Sequence, residues 1–246
     1  MMPRVVAPEV LDNLPADDPA ARRSRRDLLR IHGVMGTRSI VARGWRSLLR
    51  PARAGAPLRI LELGAGDGRF SLGVARALAG AWPPVELHLM DRQDIITPAT
   101  LAGFGALGWT TRLRVDDVLA WAARPGDPPG ALPSPRWDLV TTTLFLHHFD
   151  SPALAQLLAA VAAQSDRFFA CEPGRTCLSL AGSRLVGAIG ANAVTREDAV
   201  LSVRAGFRHR EISAHWPAGG GRWQTREGAT GLFSHCFSAW RVRGAA

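Results

Sequence analysis

The chain has 246 residues, of which 47% are hydrophobic and 21% charged, which is the composition of an ordinary globular protein. All 30 basic residues are arginine, tyrosine is absent, and the formal net charge is +9. These absences exclude Schiff-base lysine chemistry, a pyridoxal-phosphate attachment, a P-loop lysine and a tyrosine acid or nucleophile. Proton transfer must therefore fall to His, Asp, Glu or Cys side chains.

The positive charge is uneven, because residues 1–60 and 173–246 are rich in arginine whereas residues 61–172 hold more acids than arginines. The basic flanks fit a role in solubility, an anionic substrate, an acidic protein partner or nucleic acid. Cys171, Cys177 and Cys236 form no CxxC pair and no metal-type spacing with His, so we expect a reducing cytoplasm and no metal site. No apolar run is long enough to span a membrane, and residues 1–19 lack the apolar core of a signal peptide.

Four prolines in residues 1–20 predict an irregular arm, which is followed by helices over residues 21–50 and a linker at 51–57. From residue 58 onward, short apolar segments alternate with helical patterns, which indicates a parallel sheet with both faces covered. Strands are predicted at residues 58–63, 85–90, 111–115, 137–142, 167–171, 207–214 and 233–242. Helices are predicted at residues 69–79, 98–107, 118–123, 152–163 and 196–205, with a proline-rich loop at 124–135 and an ambiguous segment at 173–194.

The most informative segment is a glycine-rich turn directly after the first predicted strand. Gly64, Gly66 and Gly68 alternate with Ala65 and Asp67, and a predicted helix follows. Glycines at such a turn allow tight backbone geometry and close approach of a ligand. The nicotinamide fingerprint G-x-G-x-x-G fails, because Arg69 stands where its third glycine would be.

Acidic residues follow the next two predicted strands. Asp91 ends the second strand, and Asp116 and Asp117 end the third. A carboxylate at the end of the second strand can accept hydrogen bonds from both ribose hydroxyls. A carboxylate at the end of the third strand can accept a hydrogen bond from an adenine amino group. Because ligands of open α/β sheets bind at the carboxyl ends of the strands, these groups are expected to share one edge.

This strand, its G-x-G-x-G turn and the following acids resemble class I S-adenosylmethionine-dependent methyltransferases. The resemblance spans about residues 30–245 and is strongest over 58–173. It implies a Rossmann-like, doubly wound sheet of seven strands in the order 3-2-1-4-5-7-6, with the last strand antiparallel. It also implies an arm and lid helices in residues 1–57 and a methyltransferase domain over 58–246, forming one structural unit with a substrate-side insert at 173–194.

The resemblance further implies a site for the cofactor S-adenosylmethionine. The turn at residues 64–68 would lie along the methionine part, Asp91 would hold the ribose, and Arg92 or Gln93 would flank the adenine. Asp117, or Asp116 in its place, would contact the adenine edge. The residues implied for the cofactor are Glu62, Gly64, Ala65, Gly66, Gly68, Asp91, Arg92, Asp116, Asp117, Val118 and Thr143.

Candidates for acid–base chemistry follow the fourth and fifth predicted strands. The Leu-His-His segment at residues 146–148 resembles the quinone-biosynthesis group of these methyltransferases, and His titrates near neutral pH. We therefore predict His147, His148 and Glu172 as catalytic residues, although either His can instead be structural and Glu172 a loop or cap acid. His32 and Met35, on the predicted lid, and His215 are predicted to line the substrate pocket.

The predicted function is methyl transfer to a small molecule, with O-methylation of an aromatic or polyketide-like metabolite as the first interpretation. The second half of the chain also resembles methyltransferases of bacterial polyketide pathways, which indicates secondary metabolism in a cytoplasmic monomer or homodimer. C-methylation of an activated ring, nucleic-acid methylation and a non-catalytic scaffold are the alternatives. Enzymes that methylate the amino groups of bases carry Asn-Pro-Pro-Tyr/Phe or Asp-Pro-Pro-Tyr after strand four. Residues 142–145 instead read Thr-Thr-Leu-Phe there, and the Asp-Pro-Pro-Gly at 127–130 precedes that strand, so this alternative is disfavoured.

Overall fold

The structure is a computed structural model that describes residues 2–49, 56–80, 82–124, 136–217 and 223–242. The predicted linker at 51–57 is described only for residues 56 and 57, and the proline-rich loop at 124–135 only for residue 124. The Asp-Pro-Pro-Gly segment at 127–130 therefore lies outside the described residues.

The centre of the fold is a seven-stranded sheet with the strand order β3-β2-β1-β4-β5-β7-β6. Strands β1 to β5 run parallel, whereas β7 pairs antiparallel with both β5 and β6. This arrangement confirms the predicted order and the predicted antiparallel last strand. The strands are β1 Leu58–Leu63, β2 Val85–Asp91, β3 Trp109–Val115, β4 Leu139–Thr143, β5 Arg167–Pro173, β6 Trp223–Thr230 and β7 Ser234–Arg241.

Helices cover both faces of the sheet and extend beyond its edge. They are α1 Val10–Asn13, α2 Pro19–Val34, α3 Thr37–Leu48, α4 Arg69–Leu78, α5 Pro98–Gly105, α6 Val118–Ala122, α7 Ser151–Gln164, α8 Cys177–Arg184, α9 Ala193–Ala205 and α10 Glu211–His215. Two 3-10 helices span Leu146–His148 and Val186–Ile189. No helix among the described residues is long and apolar enough to cross a bilayer.

Two apolar layers form because successive side chains of a strand point to opposite faces. Ile60 packs with α3, α4 and α5 in one cluster, and Leu61 packs with α6, α7 and α10 in the other. Since both layers are filled, β1 is buried along nearly its whole length. The carboxyl ends of β1, β2 and β4 therefore lie between two packed layers.

The predicted strand at 207–214 is wrong. Phe207 makes only an isolated bridge to Gly174, and residues from Glu211 onward form α10. The carboxylate of Glu227 accepts hydrogen bonds from the backbone N–H groups of Ile212 and Ser213 at 2.9 and 2.7 Å, which supports the helical turn there. The sixth strand is Trp223–Thr230, an edge strand whose residues are exposed or half-buried, so it lacks the apolar pattern of an interior strand.

The N-terminal region consists of the arm, which precedes α2, and the two long helices α2 and α3. Gly36 takes a left-handed φ of 65°, so the helical pattern of residues 21–50 breaks between α2 and α3. The arm before α2 lies on α9, where Asp198 accepts hydrogen bonds from the backbone N–H groups of Val10 and Leu11. The arm is irregular outside α1, as predicted, but it is tied to the rest of the chain.

Candidate functional site

A cavity of about 220 Å³ opens at the carboxyl ends of β1, β2 and β4, and we call it the rim cavity. The glycine turn after β1, the loop after β2 and the start of the segment after β4 form its base. Helix α2 and the arm cover it. The residues that line it are Glu9, Leu11, Asp12, Arg25, Leu28, Leu29, His32, Glu62, Gly64, Ala65, Gly66, Asp67, Phe70, Asp91, Arg92, Gln93, Ile95, Thr143, Leu144, His147 and Ser202.

The glycine turn has the backbone geometry that only glycine adopts without strain. Gly64, Gly66 and Gly68 all have positive φ, at 72°, 54° and 70°. A Cβ on Gly64 would lie 2.3 Å from the Phe145 ring, whereas a Cβ on Gly66 would meet nothing within 4 Å. Gly66 therefore leaves open space on the cavity side, and Gly68 supports the start of α4 outside the cavity lining.

Glu62 brings a buried carboxyl group to the cavity. Ser71 Oγ donates a hydrogen bond to Glu62 Oε1 at 2.6 Å, but Glu62 Oε2 has no hydrogen-bond partner among the described residues. Burial raises the pKa of Glu62 to about 7, with the negative charge of Asp91 adding to the shift and the Ser71 hydrogen bond opposing it. Glu62 Oε2 can therefore accept a hydrogen bond from a ligand, and a cationic donor would favour the ionised form of the Glu62 carboxyl group.

Asp91 ties the loop after β2 to the glycine turn. Its Oδ2 accepts from the Gly66 backbone N–H at 2.8 Å, and its Oδ1 accepts from that of Gln93 at 3.0 Å. Each carboxylate oxygen can accept a second hydrogen bond. Arg92 and Gln93 line the cavity beside it, as the predicted cofactor role requires.

The residues predicted for the adenine edge have local partners instead. Asp116 pairs with Arg124, with Oδ2 and Nη2 2.6 Å apart. Asp117 caps α6 by accepting from the backbone N–H groups of Leu119 and Ala120, and Val118 is buried in the apolar layer. None of the three lines the rim cavity.

His147 is buried between two carboxylates. Its Nδ1 lies 2.8 Å from Glu172 Oε2, and its Nε2 lies 3.2 Å from Glu9 Oε1. Burial by itself would lower the pKa of His147, but the hydrogen bonds to Glu172 and Glu9 outweigh it and raise the pKa to about 9. The ring is therefore cationic at neutral pH in this arrangement and is a poor proton acceptor.

His148 lies beside His147 with its ring centroid 4.2 Å away, but outside the cavity lining. Its Nδ1 lies 2.9 Å from the Phe145 carbonyl oxygen, which can only accept, so the proton is on Nδ1. Its Nε2 is 3.5 Å from Glu9 Oε2 and 3.6 Å from Asp12 Oδ2, too far for a strong hydrogen bond. Thr143 and Leu144, at the end of the same segment, line the cavity, and Leu144 takes an unusual φ of 52°.

Glu9 is the functional candidate that sequence reasoning missed. Burial would raise its pKa, but the His147 hydrogen bond and the nearby His148 hold the pKa well below its usual range. Ser202 Oγ, on α9, also donates to Glu9 Oε1. No local pattern marks Glu9, because its partners lie far away in sequence.

Of the three residues predicted to line the substrate pocket, only His32 lines the rim cavity. His32 lines the cavity from α2, its ring centroid is 4.5 Å from that of Phe70, and its Nδ1 has no partner among the described residues. Burial, with the charge of Arg38 adding, lowers the pKa of His32 to about 4, so the ring is neutral. Met35, at the end of α2, and His215, in α10, are not among the lining residues.

No protein-family model matches the chain, and no curated protein sequence matches it significantly. Solved structures do match. The plantazolicin methyltransferase BamL, in complex with a triazolic desmethylPZN analog and SAH, has a TM-score of 0.60 at 12% identity, covering 94% of this chain and 92% of that one. The plantazolicin methyltransferase BpumL, in complex with SAH, has a TM-score of 0.59 at 12% identity, covering 92% of both chains.

An O-methyltransferase family protein from Burkholderia thailandensis has a TM-score of 0.55 at 13% identity, covering 94% of this chain and 62% of that one. At such low identities these likenesses concern the fold. The chain therefore has the Rossmann-like fold of solved S-adenosylmethionine-dependent methyltransferases, with the rim cavity at the carboxyl ends of its parallel strands.

Proposed function

We propose that this protein transfers a methyl group from S-adenosylmethionine to a small molecule. The observation that carries the proposal is that Glu62 Oε2 has no hydrogen-bond partner among the described residues, on a side chain that lines the same cavity as Gly66 and Asp91. A buried acceptor without a donor costs free energy unless a ligand supplies one. Glu62 would accept a hydrogen bond from an ammonium group, and Asp91 would accept hydrogen bonds from a ribose diol. Gly66 would allow an extended chain to lie against the backbone.

The residues present fit the cofactor. Glu62 Oε2 would accept from the ammonium group of the methionine part, which also compensates the buried carboxylate. Asp91 would accept from the ribose hydroxyls with the lone pairs that its two backbone hydrogen bonds leave free. Arg92 and Gln93 would flank the adenine, and Thr143 would contact the cofactor from β4. When bound, the cofactor supplies a methyl group on a sulfonium for in-line displacement.

Helix α2 and the arm would exclude water from this displacement. Leu28, Leu29 and Phe70 give the cavity an apolar side, while His32 and His147 supply polar groups near it. Such a lining suits a largely apolar acceptor with a few polar groups. We propose O-methylation of an aromatic or polyketide-like metabolite, with C-methylation of an activated ring as the first alternative. The Leu-His-His segment supports a small-molecule acceptor through its resemblance to the quinone-biosynthesis group.

We assign His147 to the acceptor end of the cavity, with His148 beside it outside the lining, and Glu172 to the orientation of His147. Glu172 has no place in the cavity lining, but its hydrogen bond fixes the His147 ring. Because His147 carries a raised pKa, it serves this end as a hydrogen-bond donor to Glu9 and Glu172 rather than as a proton acceptor in the arrangement described. Methyl transfer requires the acceptor atom to be held in line, and in this proposal these rings would help to hold it.

The proposal is tested first by binding. Calorimetry with SAH should show one site, and NADH should not compete for it, because the glycine turn lacks the nicotinamide fingerprint. Absence of SAH binding at millimolar ligand would overturn the proposal. Incubation of a metabolite extract with the protein and methyl-labelled cofactor, followed by mass spectrometry, then identifies the acceptor. Label appearing only in added nucleic acid would contradict a small-molecule acceptor.

A further inference from the structure

Two histidines and two carboxylates converge beside the rim cavity. One nitrogen of His147, one nitrogen of His148 and one oxygen of Glu9 all lie within 4.8 Å of one another. Asp12 Oδ2 faces the same place, 3.6 Å from His148 Nε2. These side chains come from the arm and from the segment after β4, so only the fold brings them together.

Hydrogen bonds at the Nδ1 atoms of both rings direct their Nε2 atoms at this cluster. The Nδ1 of His147 is held by Glu172 Oε2, and the Nδ1 of His148 by the Phe145 carbonyl. In both rings the remaining ligating position is therefore Nε2, and both Nε2 atoms face Glu9, at 3.2 and 3.5 Å. A carboxylate or backbone carbonyl on the second nitrogen is the partner that fixes metal-ligating histidines in proteins.

The charges around the cluster also favour a cation. Glu9, Asp12 and Glu172 place three carboxylates at or next to the two rings. The guanidinium of Arg4 is nearby, but it donates to the backbone carbonyls of His147 and Phe149 rather than to these carboxylates. Among the described residues, none of these carboxylates forms an ion pair with an arginine.

We propose that Glu9, His147 and His148 bind one divalent transition-metal ion, with Asp12 at its edge. Imidazole nitrogens combined with carboxylate oxygens suit Zn²⁺ and its neighbours, whereas Mg²⁺ and Ca²⁺ prefer all-oxygen sites. Coordination replaces the proton that His147 Nε2 shares with Glu9, and that proton leaves to solvent. The spacing of Cys and His in the sequence does not indicate this site, because Glu9 lies 138 residues from His147.

The ion would have a use at the acceptor end. Glu9, Asp12 and His147 line the cavity, so an open coordination position would face the place where the acceptor is held. A divalent ion there binds a hydroxyl oxygen and favours its ionised form, in a chain without lysine or tyrosine. Binding of the ion depends on the cluster alone, whereas this use of it rests on the proposed function.

The test uses the full chain, treated with a chelator, dialysed and titrated with Co²⁺, whose visible absorption reports nitrogen and oxygen ligands. We expect one equivalent to bind, Zn²⁺ to displace it and Mg²⁺ not to compete. Glu9→Gln and His148→Ala should each weaken binding by at least about tenfold, as loss of a metal contact does. His215→Ala, which removes a histidine outside the cluster, is the matched control and should bind Co²⁺ as the unaltered chain does.

Absence of stoichiometric binding would overturn the proposal, and so would equal affinity in all the variants, which indicates scattered surface histidines. Circular dichroism of each variant establishes that it is folded, and Glu9→Gln is close enough in shape to remain so. SAH calorimetry on the metal-free chain separates the two proposals. SAH binding without Co²⁺ binding refutes the metal site alone, and Co²⁺ binding without SAH binding refutes the methyltransferase function alone.

Discussion

The carboxylate of Glu172, near the end of β5, accepts a hydrogen bond from the Nδ1 of His147, which follows the neighbouring strand β4, at a distance of 2.8 Å. The same carboxylate accepts from the backbone N–H groups of Phe145, Leu146 and His147. Glu172 is fully buried, so no solvent competes for these bonds. One side chain thereby fixes both the path of the segment after β4 and the orientation of its first histidine.

Replacing Glu172 by alanine should therefore destabilise the whole fold. The change leaves three backbone N–H groups and a buried imidazole without their acceptor, and breaking a buried ionic pair in this way costs about 3–5 kcal/mol. Glu172→Gln keeps one acceptor oxygen and should cost less. Urea denaturation at pH 7 measures both. Glu197→Gln, an exposed change on α9, is the control and should shift the midpoint little. Equal midpoints for Glu172→Ala and the control would refute this role.

The sheet and the glycine turn could be predicted because their signals are local. Apolar runs mark the interior strands, and Gly64 and Gly66 carry positive φ where the pattern required it. Edge strand β6 could not be predicted in this way, because it buries little and its pattern is polar. Helix α10 forms in place of the strand predicted at 207–214, and Glu227, on β6, supports its helical turn at Ile212.

The site shows the same division between local and distant information. His147 and Glu172 could be predicted because they lie at the carboxyl ends of adjacent parallel strands, which place them at one edge. Asp116 and Asp117 met the same rule, yet Arg124 and the first turn of α6 use their oxygens. Glu9 could not be found, because the arm reaches His147 only through tertiary packing on α9. A sequence pattern places residues at an edge, but it does not reveal which of them already have partners.

Glu62 should make stability depend on pH. Its pKa rises from 4.5 to about 7 on folding, so the folded chain keeps a proton that the unfolded chain releases. The stability contributed by this proton is complete below about pH 4.5 and is lost as the pH rises through about 7. The loss is on the order of 3 kcal/mol, at about 1.4 kcal/mol for each unit of pKa shift.

Denaturation of the unaltered chain and of Glu62→Gln at pH 5 and pH 8 measures this loss. The amide carries no titrating proton, so Glu62→Gln should become more stable relative to the unaltered chain at pH 8 than at pH 5. Because every other group titrates in both proteins, the difference between them isolates Glu62. A difference that does not change with pH would contradict the raised pKa.

Asp91 should determine affinity for the cofactor. Replacing it by alanine removes the acceptor expected for the ribose and the bond that holds the Gly66 N–H. A hydrogen bond to a charged group contributes about 1.5–3 kcal/mol, so the SAH dissociation constant should rise at least about tenfold. Calorimetry measures it, and Asp94→Asn, an exposed acid on the same loop and outside the cavity lining, should leave it unchanged. An unaltered constant for Asp91→Ala would remove Asp91 from the cofactor site.

His148 should matter for turnover more than for cofactor binding. It lies outside the cavity lining, and its Nε2 faces Glu9 and Asp12, which belong to that lining. His148→Ala should therefore lower the rate of labelled product formation while the SAH dissociation constant changes little. Turnover equal to that of the unaltered protein, with an acceptor identified by mass spectrometry, would exclude His148 from the reaction.

Gly64 and Gly66 should respond differently to the same substitution. Gly64→Ala forces a Cβ to within 2.3 Å of Phe145, in addition to a left-handed φ of 72°, so overpacking adds roughly 1–3 kcal/mol to the backbone strain. Removing the ring in the double variant Gly64→Ala/Phe145→Ala should remove the overpacking contribution to the loss of stability. This pairing is measured by a double-mutant cycle in urea.

Gly66→Ala meets no atom within 4 Å and should cost only the roughly 1–2 kcal/mol of a left-handed alanine. Its methyl group would nevertheless occupy the open space where the cofactor is expected to lie against the backbone, so SAH affinity should fall much more than stability does. Gly105→Ala, in the exposed last turn of α5 with open space around it, should leave SAH affinity unchanged. If Gly66→Ala binds SAH as tightly as Gly105→Ala does, the glycine turn does not border the bound cofactor, because a ligand in contact with that backbone has no room for the added carbon.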